Sequence, residues 1–357
     1  MKLSVLIAQG TDGWKIAKRA EQLGLHAAWF EDSQMCAADP VVSIAVTAQH
    51  TSRIRLGTGI LVPSNRIAPQ TANSFASLNA FAPGRINLGI GTGFSARRAM
   101  GLSPVKIEDM REYVRIIEAL LHGEITEWEF EGERRKIAFV NADQDIINLT
   151  DPIDIYIGAN GPKMRRLTAE TKTHWMNIYV SLEQAAETFK DMERQRIEMG
   201  TSPADFKNAM FFTGSYPLAE GESLTSERCL RQAGPLAAVL LHNVIEMAQH
   251  GTLGSYTGVD KAILDKCMRL YESYQPADAR YLALHRGHAL FLREDEAEFM
   301  TPDWIRHTTM TAPVAEIREH IRELLRIGYQ EIVFMMNTYH PEDINVIERW
   351  VEVMEGV

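Results

Sequence analysis

The segment from Gly158 to Lys163 has the composition of a turn that binds an anion. It follows a short apolar run, and its residues are Gly158, Ala159, Asn160, Gly161, Pro162 and Lys163. Small residues let backbone N–H groups approach an anion, and the positive end of the following helix points to the same place. We therefore predict that this turn binds a phosphate, with Lys163 adding charge. A plain turn is the alternative, because Gly and Pro are common in turns.

A second glycine-rich turn, Gly91-Thr92-Gly93, leads to Arg97 and Arg98. With Ala96 it matches the Gly-x-Gly-x-x-Ala spacing of dinucleotide-binding turns. Such a turn would follow the first strand and have an acidic residue about 20 residues further on, at the end of the next strand, which is not the case here. We predict instead that Gly91 and Gly93 let a flat ring approach the backbone. Arg97 pairs with a phosphate or a substrate carboxylate in this interpretation, or else is solvated.

Four polar residues are candidates for proton transfer. Asp32 and Ser33 follow the apolar run that ends at Phe30, so they lie where a strand ends. His285 and His288 are three residues apart, which places two imidazoles one helical turn from each other. Proton transfer or substrate binding suits all four. Loop capping by Asp32 and a structural role for one histidine are the alternatives. No spacing supplies a third ligand, so we expect no metal site.

The composition excludes several classes of partner. The chain has 357 residues, with Lys+Arg 37 against Asp+Glu 47 and a net charge of −10, which disfavours nucleic acids and anionic membranes. Its three cysteines are Cys36, Cys229 and Cys267, and none forms a Cys-x-x-Cys pair. We expect reduced thiols in a cytoplasmic protein. The N-terminal apolar run is too short for a signal peptide, and we expect no membrane span.

Short apolar runs alternate with helical patterns along most of the chain. Eight runs are candidate strands: 3–8, 26–30, 54–62, 86–90, 153–157, 174–180, 209–213 and 331–336. Continuous apolar strands separated by helices are typical of a parallel sheet buried on both faces. Eight such units predict an α/β protein, a single (β/α)₈ TIM barrel over residues 1–357. Residues 124–150 read as a hairpin or loop, and about 216–310 as a helical insertion after the seventh strand.

In order and spacing, several segments of the chain resemble the bacterial-luciferase-like superfamily, nearest its methylenetetrahydromethanopterin-reductase-like, deazaflavin-dependent branch. The matching segments are LHAAWFED at 25–32, RIRLGTGILVP at 53–63, PGRINLGIGTG at 83–93, IGANGPKM at 157–164 and GYQEIVF at 328–334. Residues 301–313 look similar as well. The resemblance implies a cofactor ring at the carboxyl ends of the strands and a phosphate at the turn after the fifth strand. It also implies a non-prolyl cis peptide at Gly59-Ile60 that supports the ring.

Two positions depart from particular branches of that superfamily. Ser33 stands where the sugar-phosphate dehydrogenases and the luciferases have a histidine, and Phe94 stands where the dehydrogenases have a glutamate. Sugar-phosphate oxidation and light emission are therefore not expected.

The resemblance leaves three functions open. The first is a monooxygenase that uses reduced FMN and oxygen on a small organic substrate, with the FMN supplied by a separate flavin reductase. The second is hydride transfer with the deazaflavin coenzyme F420. The sequence analysis favours FMN slightly, because fewer organisms make the deazaflavin. The third is a flavin-binding protein without catalysis. A homodimer is expected, because exposed barrel helices often pair.

Overall fold

A computed structural model describes residues 1–8, 10–249, 261–337 and 341–357. Its strands, in chain order, are β1 (Lys2–Ala8), β2 (Ala27–Phe30), β3 (Arg55–Thr58), β4 (Ile86–Ile90), β5 (Thr126–Phe130), β6 (Glu133–Ile137), β7 (Asp154–Gly158), β8 (His174–Ile178), β9 (Asn208–Phe212), β10 (Ser215–Leu218), β11 (Met310–Pro313) and β12 (Glu331–Asn337). Eight of them close a parallel barrel in the order β1-β12-β9-β8-β7-β4-β3-β2. The predicted (β/α)₈ barrel is confirmed.

Helices cover the outside of the barrel and link its strands. They are α1 (Trp14–Gln22), α2 (Pro40–His50), α3 (Ala68–Phe81), α4 (Phe94–Arg98), α5 (Ile107–Leu121), α6 (Pro162–Glu170), α7 (Leu182–Glu198), α8 (Glu227–Gln249), α9 (Lys261–Ser273), α10 (Tyr281–Leu284), α11 (Glu294–Ala297), α12 (Pro302–Thr308), α13 (Val314–Ile327) and α14 (Val346–Met354). None of the described helices is long and apolar enough to cross a bilayer.

The barrel strands are mostly apolar because most of their side chains are buried on one face of the sheet or the other. In β1, Val5 and Ile7 pack in the core between the barrel and its helices. Leu6, between them, belongs to a second cluster inside the barrel, which also contains Trp29 and Phe211. Successive side chains of a strand point to opposite faces, so one run fills two cores. This double burial explains why the apolar runs show no polar alternation.

Two segments interrupt the alternation of barrel strands and helices. The predicted hairpin is present as the antiparallel pair β5 and β6. Between β9 and β12, α8 to α12 form the predicted helical insertion, of which residues 250–260 lie outside the described part. The insertion is closed at its base by β10 and β11, which pair in parallel. Neither β10 nor β11 is among the eight strands predicted from the sequence.

A partly buried ionic cluster lies at the amino ends of the barrel strands. The carboxylate of Asp154 is 3.0 Å from Arg55 Nη2 and 3.4 Å from His174 Nε2, and it also pairs with Lys207. Burial alone would raise the pKa of Asp154. The hydrogen bonds from His174 and Lys207, with the charges of Lys207 and Arg55, instead lower that pKa well below its usual range. The ionised carboxylate therefore ties three strand ends together.

We predict that Asp154→Asn lowers the free energy of unfolding by about 1–2 kcal/mol at pH 7, because it leaves the partly buried Arg55 without its carboxylate partner. A lowered pKa in the folded state stabilises the protein above the unfolded-state pKa of about 4, and this contribution is lost progressively as pH falls from that value towards the lower folded-state pKa. The difference between the variant and the wild type should therefore shrink below about pH 4. Urea unfolding at several pH values measures it, with the exposed Asp143→Asn as control. A difference that stays constant down to pH 3 would contradict the assignment.

Candidate active site

Asp32 lies just past the carboxyl end of β2 and is buried. Its Oδ2 accepts hydrogen bonds from Val62 N at 2.9 Å and from Asn65 Nδ2 at 3.3 Å, and Arg66 Nη1 lies 3.8 Å away. Burial raises the pKa of Asp32, while these donors oppose the shift. The carboxylate thus binds the loop that follows β3. This geometry supports the capping alternative for Asp32, so the residue positions the loop.

Glu31, which was not among the residues predicted from the sequence, precedes Asp32 and has a strongly raised pKa. Its side chain is buried, and burial raises the pKa of Glu31 to about 8, although a hydrogen bond with Ser33 acts in the opposite direction. The negative charge of Asp32 adds to the increase. A carboxyl group with this pKa is mostly protonated at neutral pH and can donate a proton. The signal in the sequence was an acidic pair directly after a buried strand.

The peptide bond between Gly59 and Ile60 is cis, at the position that the family resemblance indicated. The chain bends here at the end of β3, and the Ile60 side chain lies across the ends of the two next strands in the barrel. A Cβ atom added to Gly91 would overlap Ile60 Cδ1, and one added to Gly158 would be 3.0 Å from the same atom. Ile60 therefore fills the space in front of both glycines.

The structure gives these glycines a packing role. The space where a Gly91 side chain would lie is occupied by Ile60. Gly93 is similar: its φ is +73°, and an added Cβ would be 2.5 Å from Val62 Cγ1. Both glycines let the loop after β3 pack against the end of β4, and their contact with a flat ring stays a prediction.

The two arginines after Gly93 bind protein groups. Arg97 Nε donates to the backbone oxygen of Ser103. Arg98 Nη1 lies 2.5 Å from Glu246 Oε2, on α8 of the insertion. Arg97 therefore holds the local loop together through Nε, and its contact with a phosphate or carboxylate stays a prediction. Arg98 connects the mouth of the barrel to the insertion.

The turn after β7 divides into a buried half and an exposed half. Ala159 is buried, and its oxygen accepts from Trp175 Nε1 at 3.0 Å. Asn160 Oδ1 accepts a hydrogen bond from Ile178 N at 3.0 Å.

Gly161, Pro162 and Lys163 are exposed at the start of α6, where no side chain caps the helix. An added Cβ at Gly161 would have no atom within 4 Å. Only this exposed half has room for a phosphate.

His285 and His288 are buried in the insertion, and the fold brings His242 of α8 beside them. The centroid of the His285 ring is 5.7 Å from the centroid of the His242 ring and 5.7 Å from that of the His288 ring. His285 Nε2 lies 2.9 Å from Glu246 Oε1, and His242 Nε2 bonds to Glu296. The sequence spacing offered no third imidazole for the pair, but the structure supplies one from a distant helix.

The insertion packs on the carboxyl end of the barrel. Leu236 of α8 and Ala289, the neighbour of His288, belong to the cluster inside the barrel that contains Trp29 and Phe211. The loops carrying Asp32, Ile60, the glycine turns and the insertion thus surround one mouth. Residues after the strands of a (β/α)₈ barrel form its ligand site. The fold and this mouth define a barrel that binds its ligand at the carboxyl ends of its strands.

The chain belongs to the luciferase-like monooxygenase family, whose profile matches residues 10–331. The superfamily resemblance seen in the sequence is confirmed. This chain is 36% identical over 161 residues to the 5,10-methylenetetrahydromethanopterin reductase of Methanolobus tindarius, and the match covers 43% of this chain. It is 34% identical over 160 residues to the F420-dependent glucose-6-phosphate dehydrogenase of Kineococcus radiotolerans, covering 41%. The chain spans 46% of the length of each of these curated relatives.

Two solved structures superpose on this fold over nearly the whole chain. The coenzyme F420-dependent tetrahydromethanopterin reductase of Methanopyrus kandleri superposes with a TM-score of 0.70 at 20% identity, covering 99% of this chain and 97% of that one. The oxygenating constituent of the 3,6-diketocamphane monooxygenase of Pseudomonas putida, solved with FMN, gives 0.65 at 16% identity, covering 99% and 95%. At these identities the similarity shows the fold.

The contact between Ile60 and Gly91 gives a direct test of the mouth. We predict that Gly91→Ala lowers the free energy of unfolding by about 1–3 kcal/mol, because the new methyl group overlaps Ile60. Combining it with Ile60→Ala should remove most of this cost, since the smaller side chain frees the space. Chemical unfolding of the wild type, both single variants and the double variant measures the coupling. Equal costs of Gly91→Ala in the two backgrounds would show that Ile60 does not occupy this space.

Proposed function

We propose that this protein is an oxidoreductase that transfers hydride between the deazaflavin coenzyme F420 and a small organic substrate. The observation that carries the proposal is the single mouth at the carboxyl ends of the strands, with an apolar surface at Ile60 and an open helix start at Gly161. A planar ring with a phosphate tail needs these two features side by side. The two curated relatives described above act with F420 or reduce a methanopterin, which favours the deazaflavin over FMN.

Each part of the mouth has a distinct task in this proposal. The cofactor supplies the hydride chemistry when bound. Ile60 supports one face of its ring, and Asp32 keeps Ile60's loop in place through Val62 N. The N–H groups at the start of α6 and the charge of Lys163 bind the phosphate. Glu31, hydrogen-bonded with Ser33, supplies the substrate proton when it is protonated and receives one when it is ionised.

The same geometry suits a second candidate, a monooxygenase that uses reduced FMN and oxygen. FMN has a similar flat ring and a phosphate tail, and the structure of the Pseudomonas putida monooxygenase was solved with FMN. In that case the insertion, which packs over the barrel interior through Leu236, would exclude water from the ring. A separate flavin reductase would then be the partner. Ser33 and Phe94 disfavour a sugar phosphate as the substrate of either enzyme.

Binding measurements distinguish the two candidates. We expect the purified protein to bind F420 at least 10-fold more tightly than FMN when titrated by fluorescence, and to show no oxygen uptake with the reduced deazaflavin. Tight binding of FMN alone, with oxygen consumption once it is reduced, would replace the first candidate by the second. Binding of neither molecule would contradict both and leave the chain without a cofactor of this class.

We predict that Lys163→Ala weakens the binding of the phosphorylated cofactor about 10-fold and leaves the binding of its dephosphorylated form nearly unchanged. The exposed ammonium group contributes one charge-assisted contact to the phosphate, worth about 1–2 kcal/mol. Lys190→Ala, an exposed lysine on α7, serves as the control and should change neither affinity. Equal losses for both forms of the cofactor would place the phosphate elsewhere.

A further inference from the structure

Three imidazoles converge in the interior of the insertion. His242 comes from α8, and His285 and His288 come from the segment after α10. Each residue offers one ring nitrogen, and these nitrogens lie within 4.8 Å of one another. All three side chains are buried, with relative exposures of 2%, 4% and 6%. Buried polar groups are normally hydrogen-bonded, so three imidazoles packed together in this way require partners for their ring nitrogens.

The hydrogen bonds of the cluster decide which nitrogens are available. His285 Nε2 bonds to Glu246 Oε1 and His242 Nε2 bonds to Glu296 Oε1. A carboxylate accepts hydrogen bonds, so each Nε2 carries the proton and each Nδ1 keeps its lone pair. The Nδ1 atoms of His242, His285 and His288 are buried without a hydrogen-bond partner among the described residues.

The two glutamates are themselves held in place by arginines. Glu246 Oε2 is 2.5 Å from Arg98 Nη1, and Glu296 Oε1 is 2.8 Å from Arg293 Nη2. Each glutamate therefore contacts one histidine of the cluster and one arginine, which fixes the carboxylate beside the ring.

We propose that His242, His285 and His288 bind a divalent transition-metal ion of the zinc class. A glutamate that accepts from the remote nitrogen of a ligating histidine is the usual outer partner of such a ligand, because it fixes the tautomer and orients the ring. Zinc–nitrogen bonds of about 2.0–2.1 Å place tetrahedral ligand atoms about 3.3 Å apart, so small side-chain movements complete the site. Three imidazoles suit zinc, cobalt or nickel, whereas magnesium and calcium prefer oxygen.

The charge balance predicts what completes the coordination. Glu246 and Glu296 are each paired with an arginine, and the three ligands are neutral. The ion would therefore keep its charge of +2 and leave a fourth position for water, hydroxide or an anionic oxygen of a substrate. Ala289, next to His288, packs inside the barrel with Trp29. The site thus borders the mouth where the cofactor is proposed to bind, but it does not require the cofactor.

Metal binding can be measured on the full, untagged chain without any cofactor. After treatment with a chelator, cobalt(II) should bind with one equivalent and give the visible d–d absorption of a low-symmetry site, and zinc should displace it. His242→Ala and His288→Ala should each lower cobalt affinity by about 100-fold or more. Glu296→Gln, which preserves the shape of the outer partner, should lower it about 10–100-fold. His122→Ala removes an exposed histidine and should have no effect.

Two results would overturn the proposal. One is that the wild type binds cobalt no more tightly than the His242→Ala variant. The other is that His122→Ala lowers the affinity as much as the buried variants do. Circular dichroism of each variant establishes that it is folded, and Glu296→Gln tests the site if the alanine variants do not fold. Because cofactor titrations are separate, a failure here leaves the proposed hydride transfer unaffected.

Discussion

The packing of Ile60 against Gly91 and Gly158 is the constraint on which the mouth of this barrel depends. The ends of β3, β4 and β7 are adjacent in the barrel, and only residues without a Cβ let a branched side chain lie across two of them. Asp32 holds the same loop from the other side by accepting a hydrogen bond from Val62 N. The ligand surface is therefore made by one loop that is fixed from three neighbouring strands.

The insertion is joined to this mouth by apolar and by ionic contacts. Leu236 and Ala289 extend the cluster inside the barrel, so the insertion shares a core with the strands. The pair between Arg98 and Glu246 joins the loop after β4 to α8. A buried ion pair requires good geometry to offset the loss of hydration, and here His285 provides the additional hydrogen bond. A continuous chain of hydrogen bonds, from His285 through Glu246 to Arg98, therefore connects the histidine cluster with the rim.

Much of this architecture follows from local patterns in the sequence. Apolar runs predicted all eight barrel strands, because burial on both faces removes polar alternation. Ser181 caps α7 by accepting from Gln184 N, as the sequence Ser-Leu-Glu-Gln indicates. β10 and β11 were not predictable: each has only four residues, and they pair across the whole insertion. Their strand character depends on a partner that is distant in sequence.

The site was harder to predict than the fold, because its contacts also join residues that are distant in sequence. A glycine pattern shows that something lies close to the backbone, but only the structure identifies Ile60 as that group. His242 is far from His285 in sequence, so no spacing could associate them. Glu31 and Asp32 are both buried after β2, and the hydrogen bonds that Asp32 accepts from Val62 N and Asn65 Nδ2 distinguish it from Glu31. Those donors belong to the loop that follows β3, which lies about 30 residues further along the chain.

The open start of α6 has a consequence for which ligands the protein can distinguish. Gly161, Pro162 and Lys163 face solvent, so a phosphate bound there lies at the boundary with water. A group attached to the outer side of that phosphate would therefore lead into solvent. An enzyme of this shape would recognise the head of a long molecule and be indifferent to the length of its tail.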